Sequence, residues 1–548
     1  MSDKTKRLPA QNFRTEMKQK YWLPLLFALT LGAGIWLGVY LSRAGQEWSA
    51  EQKLSQVLRL IEDEYVDEVS IDSLVEMAVP SLLENLDPHS SYISAKDLTL
   101  AESDLEGSFS GIGVQFEVHS DTVMIVEILT GGPAEESGLN AGDKIVKIDG
   151  KVVAGKHLPD KELISRLRGE EGSKVVLSVK RAGSKKLTDV TITRGRVPDI
   201  VIESFYMLDK TTGYIKVKKF ARTTYEQFLQ TLTALRAQGA ENFVIDLRGN
   251  TGGYLEPAVL MANEFLNRGD LIVSLKGRDS FANHDIRADG TGLYTDVGLS
   301  VIIDEFTASS SEIFSGAMQD NDRGWIVGRR SFGKGLVQSP IMLPDSSQIR
   351  LTVQRYYTPS GRSIQKDYKP GANYDYESEL YNRYVDGELL SEDSVKINRD
   401  LLFRTAGGRE VYGGGGIVPD KFVPNDTTGV TSYYVNVVNN RLISKFAYEY
   451  TELNADNLKS AKNVNELLSK LPANDVLLNA FVRYASLNGV PARWYYINIS
   501  SNLIVTQLKA LIARDIFGTS GYYEVVNRSD KTVREALRRA AQPITINN

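Results

Sequence analysis

Cysteine is missing from all 548 residues. Its absence excludes disulfides, thiolate nucleophiles, Cys-ligated zinc and iron–sulfur clusters. Histidine is scarce: His89, His119, His157 and His284 are widely spaced and form no HExxH-type pair. That pattern speaks against most metallohydrolase readings and against a histidine-based triad. A basic surplus is lacking as well. The 64 Lys plus Arg face 69 Asp plus Glu, for a net charge of −5, whereas a dedicated nucleic-acid binder carries a clear cationic excess. What is present is ordinary globular material, 24% charged and 42% hydrophobic, neither disordered nor fibrous in composition. At roughly 150 residues per domain the length allows about three to four domains.

One apolar run stands out, Tyr21 to Leu41 (YWLPLLFALTLGAGIWLGVYL), without a charge. A helix needs ~20 such residues to cross the hydrocarbon core of a bilayer. Lys4, Lys6, Arg7, Arg14, Lys18 and Lys20 precede it, against Asp3 and Glu16, and a basic flank stays cytoplasmic. A cleaved signal peptide would have an apolar stretch of ~7–15 residues and an Ala-x-Ala-like site; here only Ser42-Arg43-Ala44 offers itself. The length favours an uncleaved anchor, with residues 1–20 cytoplasmic, 21–41 in the inner membrane and the rest facing the periplasm or cell exterior.

Residues 48–97 read as helical, with Leu54, Val57, Leu58 and Ile61, then Leu74, Met77, Ala78, Leu82 and Leu83, at helical spacing. Asp87-Pro88 ends the pattern. Such helices suit an arm, a dimer contact or simple packing.

From about 107 to 196 short β runs alternate with glycine-rich turns. Ser110 to Phe116 opens a strand, and Val123 to Ile128 is the next. Gly131-Gly132-Pro133-Ala134 leads into a short helix ending at Gly138, and Lys144 to Ile148 is a strand closed by an Asp149-Gly150 turn. A helix over Asp160–Leu167 precedes strands at Val175–Val179 and Val190–Ile192. The run GGPAEESGLNAGDKIVKIDGKVV resembles the PDZ domain of bacterial proteases. That resemblance gives residues 98–196 to a PDZ domain, which captures an extended peptide as an added strand while loop N–H groups hold its terminal carboxylate. Gly111, Ile112, Gly113 and Val114 would be that loop, unless the glycines merely shape a turn. Arg168 would join the peptide site, and Arg166 or Arg168 would relay occupancy to the rest of the chain.

Further on, Asn242 to Leu247 is an apolar strand, Arg248-Gly249-Asn250-Thr251-Gly252-Gly253 a glycine turn, and Leu255 to Phe265 a helix. The GxxxxGK[ST] phosphate cradle is not present, but such a turn also aims N–H groups at a developing oxyanion. A second strand, Leu299–Ile303, leads to Thr307-Ala308-Ser309-Ser310-Ser311-Glu312 and a helix through Met318. Ser309 or Ser310 there is either a helix N-cap or an exposed nucleophile. A desolvated lysine can replace histidine as its base. Lys334 lies between glycines, and if its segment is a strand, Gln338 shares its face and can orient the amine. A lysine in a glycine turn can equally be a solvated one.

The runs LDPHSSYI, GYIKVKKF, VIDLRGNTGGYL, TASSSEIFSGAMQDNDRGWIVGRRSFGKGLVQ, YYTPSGRSIQ and VYGGGGIVPD, spread over about residues 80–420, resemble the C-terminal processing peptidases (tail-specific proteases). The family resemblance implies a Ser/Lys serine endopeptidase. Ser309 takes the nucleophile's place, Lys334 the base's and Gln338 the orienting residue's. The Ser310 amide and one of the Gly252 and Gly253 amides take the oxyanion hole. Thr307 replaces the commoner serine and Ser310 an alanine, which leaves a second hydroxyl beside the nucleophile.

The implied fold is α/β. A mixed-sheet, ClpP/crotonase-like protease core (197–425) carries the inserted PDZ domain, a helical N-terminal arm (48–97) and a helical C-terminal extension (430–548). The extension reads as helices over Tyr434–Leu453, Val464–Leu471, Val476–Ala485 and Ile504–Asp515, for substrate access, dimerisation or packing. No metal or organic cofactor is implied. The expected partners are protein or peptide substrates with free C-termini and the membrane, with a homodimer or an adaptor lipoprotein left open. The competing readings are a non-catalytic PDZ adaptor and an enoyl-hydratase-like enzyme with an acyl-CoA pocket.

Overall fold

The computed structural model describes residues 13–44, 48–119, 121–129, 131–181, 184 and 186–544, in two units, Met1–Val79 and Pro80–Asn548. In the first, helix Phe13–Ala44 contains Trp22–Tyr40, 19 residues that are apolar and exposed on every side. Of the expected basic flank, Lys4, Lys6 and Arg7 lie outside the described residues. Helix Ala50–Glu64 opens on a capping box: Ser49 Oγ accepts from Gln52 N–H at 3.2 Å and Gln52 Oε1 from Ser49 N–H at 3.1 Å. Its apolar residues Leu54, Val57 and Leu60 remain exposed.

Helix Ile71–Glu84 ends before Asp87-Pro88, and in the second unit strand Ser91–Ile93 interrupts the expected helical stretch before helix Ala95–Glu106. The central sheet has six strands in the order Ile202–Met207, Thr212–Val217, Asn242–Asp246, Gly298–Ile303, Trp325–Gly328 and Lys421–Phe422. The first pair is antiparallel and the others parallel. Unbroken apolar runs such as Phe243-Val244-Ile245 suit strands covered on both faces. Phe243, Ile245, Val301 and Ile303 face helices Thr224–Ala237, Leu255–Asn263 and Ser310–Asp320. Their neighbours Tyr214, Val244, Ile302 and Val327 face helix Lys531–Ala540 through Val533, Ala536 and Ala540.

A second sheet pairs Gln348–Tyr357 with Leu336–Met342, Ser91–Ile93 and Leu271–Gly277. The PDZ sheet runs Val114–His119, Thr122–Ile128, Lys144–Ile148, Lys174–Lys180 and Leu187–Thr193, with helix Asp160–Leu167 on its core side. Val114–His119 is an edge strand. Residues 131–138 form successive turns rather than the expected helix. Glycines bound the segment and Pro133 has no N–H, so its bonds are of the i→i−3 kind, such as Glu135 N–H to Gly132 and Ser137 N–H to Ala134.

The C-terminal helices from Ser432 to Val526 share one core. The expected helix Tyr434–Leu453 is two, Ser432–Asn439 and Leu442–Leu453, parted at Arg441 with φ 55°. Helix Trp494–Val526 is kinked at Gly518. It meets the PDZ sheet through Arg514, 2.8 Å from Glu117, and the central sheet through the Tyr523 hydroxyl, 3.0 Å from Glu203.

Candidate active site

The strand Gly298–Ile303 delivers the chain to a sharp elbow at Ser309, the residue before helix Ser310–Asp320. Ser309 has φ 57° and ψ −118°, a conformation that persists only where its surroundings enforce it. The enforcing group is Glu312. Its carboxylate is fully buried (0% exposed) and accepts four hydrogen bonds. Oε2 takes Ser309 N–H at 2.8 Å and Lys334 N–H at 2.9 Å; Oε1 takes the Ser331 hydroxyl at 2.5 Å and Gly333 N–H at 2.8 Å. One side chain thus joins the serine elbow to the lysine loop. Burial pushes its pKa up to about 7 against the pull of those donors. The Tyr356 hydroxyl adds a second tie, 3.1 Å from the Ser309 carbonyl and 2.5 Å from that of Lys334.

Lys334 does not stand in a strand, the condition for simple alternation with Gln338: the strand begins at Leu336, and its register shifts between Val337 and Gln338. The irregularity replaces simple alternation, yet Lys334 Nζ donates to Gln338 Oε1 at 3.0 Å. Gln338 Nε2 in turn donates to the His89 carbonyl. Burial lowers the Lys334 pKa, aided by Arg350 and opposed by Asp87 and Glu312.

The glycine turn is pressed onto the elbow. A Cβ on Gly252 (φ 99°) would lie 2.8 Å from both the Ala308 carbonyl oxygen and Ser309 Cβ, so no other residue fits. Asn250 fixes the approach: its carbonyl accepts from Ala308 N–H and the Ser311 hydroxyl, each at 3.0 Å, and its Oδ1 accepts from Gly252 N–H at 2.9 Å. The Gly252 amide is therefore already engaged. The Gly253 and Ser310 amides have no partner among the described residues. The Ser310 hydroxyl is 2% exposed as a residue and donates to the Gly253 carbonyl at 2.9 Å. Beneath the turn, burial raises the Asp246 pKa, but the Arg248 and Lys216 cations outweigh it and hold the carboxyl well below the usual range. Arg248 also reaches Asp530 at 2.7 Å, on the chain entering the last helix.

Ser309, Lys334, Gln338, Gly252, Gly253 and Ser310 all line one open cleft of about 500 Å³. Ile313, Leu336 and Tyr356 give it an apolar wall. None of the predicted peptide-site residues lines this cleft: Gly111 ends strand Ser108–Gly111, which pairs with Gly195–Pro198, Ile112 and Gly113 lead into the PDZ edge strand at Val114, and Arg168 caps helix Asp160–Leu167. There the Ile112 and Gly113 carbonyls accept from Ala134 and Leu129, while their own amides lack partners among the described residues. The Arg168 stem passes Gly111, but its guanidinium lies 4.3 Å over the Phe109 ring and 3.3 Å from Ser103 Oγ, at the base of the PDZ domain. Among the described residues the Arg166 side chain pairs locally, with Glu162. Among the described residues no carboxylate–histidine group has a metal-holding arrangement.

Two contributors had no role in the sequence reading. Glu312 was accessible to it, because Ser309-x-x-Glu312 has capping-box spacing. The His89 carbonyl was not: it meets Gln338 across 249 positions, and no local pattern marks such a contact.

The sequence profile of peptidase family S41 matches residues 211–378, a PDZ profile residues 110–192, and that of a family of unknown function residues 433–518. The carboxy-terminal-processing protease of Bartonella bacilliformis is 33% identical over 319 residues, 57% of this chain and 72% of that protein. The carboxy-terminal processing protease CtpA of Bacillus subtilis is 30% identical over 359 residues, 64% of this chain and 75% of that protein. Among solved structures, a photosystem II D1 C-terminal processing protease aligns at 28% identity over 58% of this chain and 91% of its own, with a TM-score of 0.33. With more than two thirds of two such relatives matched at 30% identity or better, the chain belongs to peptidase family S41 and is a carboxy-terminal processing serine protease with a PDZ domain.

Proposed function

We propose that this protease cuts protein tails with Ser309 as nucleophile, Lys334 as general base and Gln338 as the residue that orients the base. The observation that carries the reading is the Lys334 amine, desolvated, 3.0 Å from Gln338 and in one cleft with the Ser309 elbow. Neutral Lys334 accepts the Ser309 proton as Oγ adds to the scissile carbonyl. The resulting oxyanion is met by the Gly253 and Ser310 amides. Lys334 returns the proton to the departing amine, leaving an acyl-serine. Water, deprotonated by Lys334, then adds to the ester and releases the acid and Ser309. Ser310 is disfavoured as nucleophile because its hydroxyl is held by the Gly253 carbonyl.

The substrate in this reading is an extended tail with a free carboxylate and a small or apolar last residue. It is captured on the edge strand Val114–His119 with its carboxylate at the Gly111–Val114 loop. The exposed apolar helix Trp22–Tyr40 supports an inner-membrane anchor, with the protease in the periplasm or extracytoplasmic space.

Peptide cleavage and thermal unfolding of Ser309→Ala, Ser310→Ala, Lys334→Ala and Lys334→Arg test the assignment. Ser309→Ala and both lysine variants should lose activity by orders of magnitude while folding normally, because arginine keeps the charge and cannot deprotonate in this range. Ser310→Ala should retain activity. Substantial cleavage by Lys334→Arg would remove lysine as the base, and the opposite serine result would move the nucleophile to Ser310.

A further inference from the structure

Behind the lysine lies a run of contacts that the chemistry above does not use. An amide has a donor end and an acceptor end. The bond from Gln338 Nε2 to the His89 carbonyl therefore decides that Oε1, and not the NH₂ group, faces Lys334. The His89 carbonyl is aimed from two sides. On one, Asp87 Oδ1 accepts from the N–H groups of His89 and Ser90, both at 2.8 Å, and from the Thr352 hydroxyl at 3.1 Å; Oδ2 takes the Ser90 hydroxyl at 2.6 Å. That is an Asx turn pinned to the sheet that carries Gln338.

On the other side the His89 ring is held by Tyr376. His89 Nε2 lies 2.7 Å from the Tyr376 hydroxyl, and the two rings meet edge to face at 5.2 Å. Gln365 Nε2 donates to the phenol oxygen at 3.4 Å, and the phenol proton goes to His89 in the tautomer whose Nε2 is unprotonated. Burial, with Lys334 beside it, lowers the His89 pKa to about 4, so at neutral pH the ring has a nitrogen able to accept. Tyr376 is 5% exposed, and Lys366 Nζ sits 4.0 Å from its ring centroid. Lys366 N–H donates to the Gly333 carbonyl at 3.0 Å, next to Lys334 itself. Tyr376 and Gln338 are thus linked through His89, which does not line the cleft.

We propose that Tyr376 is a positioning residue of this protease: by holding the His89 ring it fixes the His89 carbonyl on Gln338, and so fixes Gln338 Oε1 on the Lys334 amine. The inference rests on the Ser309/Lys334/Gln338 reading above. It differs from a packing role in requiring that the effect of Tyr376 pass through Gln338.

The test is a double-mutant cycle on the full-length chain, with steady-state cleavage of a peptide bearing a free C-terminus. The variants are Tyr376→Phe, Gln338→Ala and the pair, with Lys334→Ala as a control and His89→Ala in place of Tyr376→Phe should that variant fold poorly. Tyr376→Phe keeps the ring and removes only the hydroxyl. It should lower kcat about tenfold, the scale of one lost hydrogen bond in a catalytic arrangement, with KM within about twofold of wild type. In the Gln338→Ala background it should have no further effect, since both changes break one chain of contacts. Wild-type kcat in Tyr376→Phe, a loss confined to KM or to melting temperature, or a full repeat of the loss in the Gln338→Ala background would each overturn the proposal. Lys334→Ala separates the two levels. An active Lys334→Ala removes the base assignment beneath the inference, whereas an inactive one beside a normal Tyr376→Phe removes the positioning role alone.

Discussion

In the proposed mechanism Lys334 trades stability for chemistry. Burial lowers its pKa, so between the folded value and the ordinary lysine value of ~10.4 the folded protein binds fewer protons than the unfolded chain. Stability therefore rises with pH across that window, and at neutral pH the lysine subtracts from it. Lys334→Met, similar in length and uncharged, should abolish cleavage yet melt no lower than wild type at pH 7, with the difference shrinking towards pH 10. Melting curves at the two pH values check this; a variant far less stable at pH 7 would mean that the amine's bond to Gln338 outweighs desolvation. The wild-type rate should rise with pH along a limb centred below the ordinary lysine value. Ser309, Lys334 and Gln338 were readable as candidates because residue type and motif order are properties of the chain. Their protonation was not, since desolvation is decided by what packs around the amine.

At the scale of elements, the elbow and the lysine loop are two irregular segments that propensity leaves undefined. Glu312 supplies the missing order, taking the Ser309 and Lys334 amides on one oxygen and the Ser331 hydroxyl and Gly333 amide on the other. Glu312→Gln keeps the shape and replaces one acceptor oxygen by a donor NH₂ set against donors. Leaving buried donors unsatisfied costs about 1–3 kcal/mol each, so the variant should melt lower and lose cleavage by about a hundredfold or more. Activity near the wild-type level would mean that Tyr356 and the Asn250 turn suffice to hold the elbow. Lys334 lies outside the strand for a related reason. Gly333 and Gly335 flank it, and the Gly335 amide goes to Gln365 instead of to a sheet partner, so the strand starts only at Leu336.

At the scale of the molecule, the PDZ domain, the central sheet and the C-terminal helices are parts of one unit. Helix Trp494–Val526 touches both the PDZ sheet and the central sheet, and helix Lys531–Ala540 covers the central sheet's second face. Tail capture at a distance from the cleft makes a prediction at this scale. A peptide with a free C-terminus should be cut faster than its amide, by about tenfold, because amidation removes the charge and one acceptor that the Gly111–Val114 loop would bind. Equal rates for the two peptides would disprove capture through the carboxylate.

The chain's own pattern determined what depends on neighbours in sequence. Apolar runs specified buried strands, glycine turns and small-residue motifs marked segments that line the cleft, and the spacing in Asp160–Leu167 specified a helix that forms with those bounds. Tertiary structure decided what depends on groups far apart in sequence. It engaged the Gly252 amide and left that of Gly253 without a partner among the described residues, brought the His89 carbonyl to Gln338, and placed Ala536 and Ala540 under the central sheet. The physical reason is the same each time: an amide's orientation, a lysine's desolvation and a sheet's second cover are set by atoms that meet only after the chain has packed.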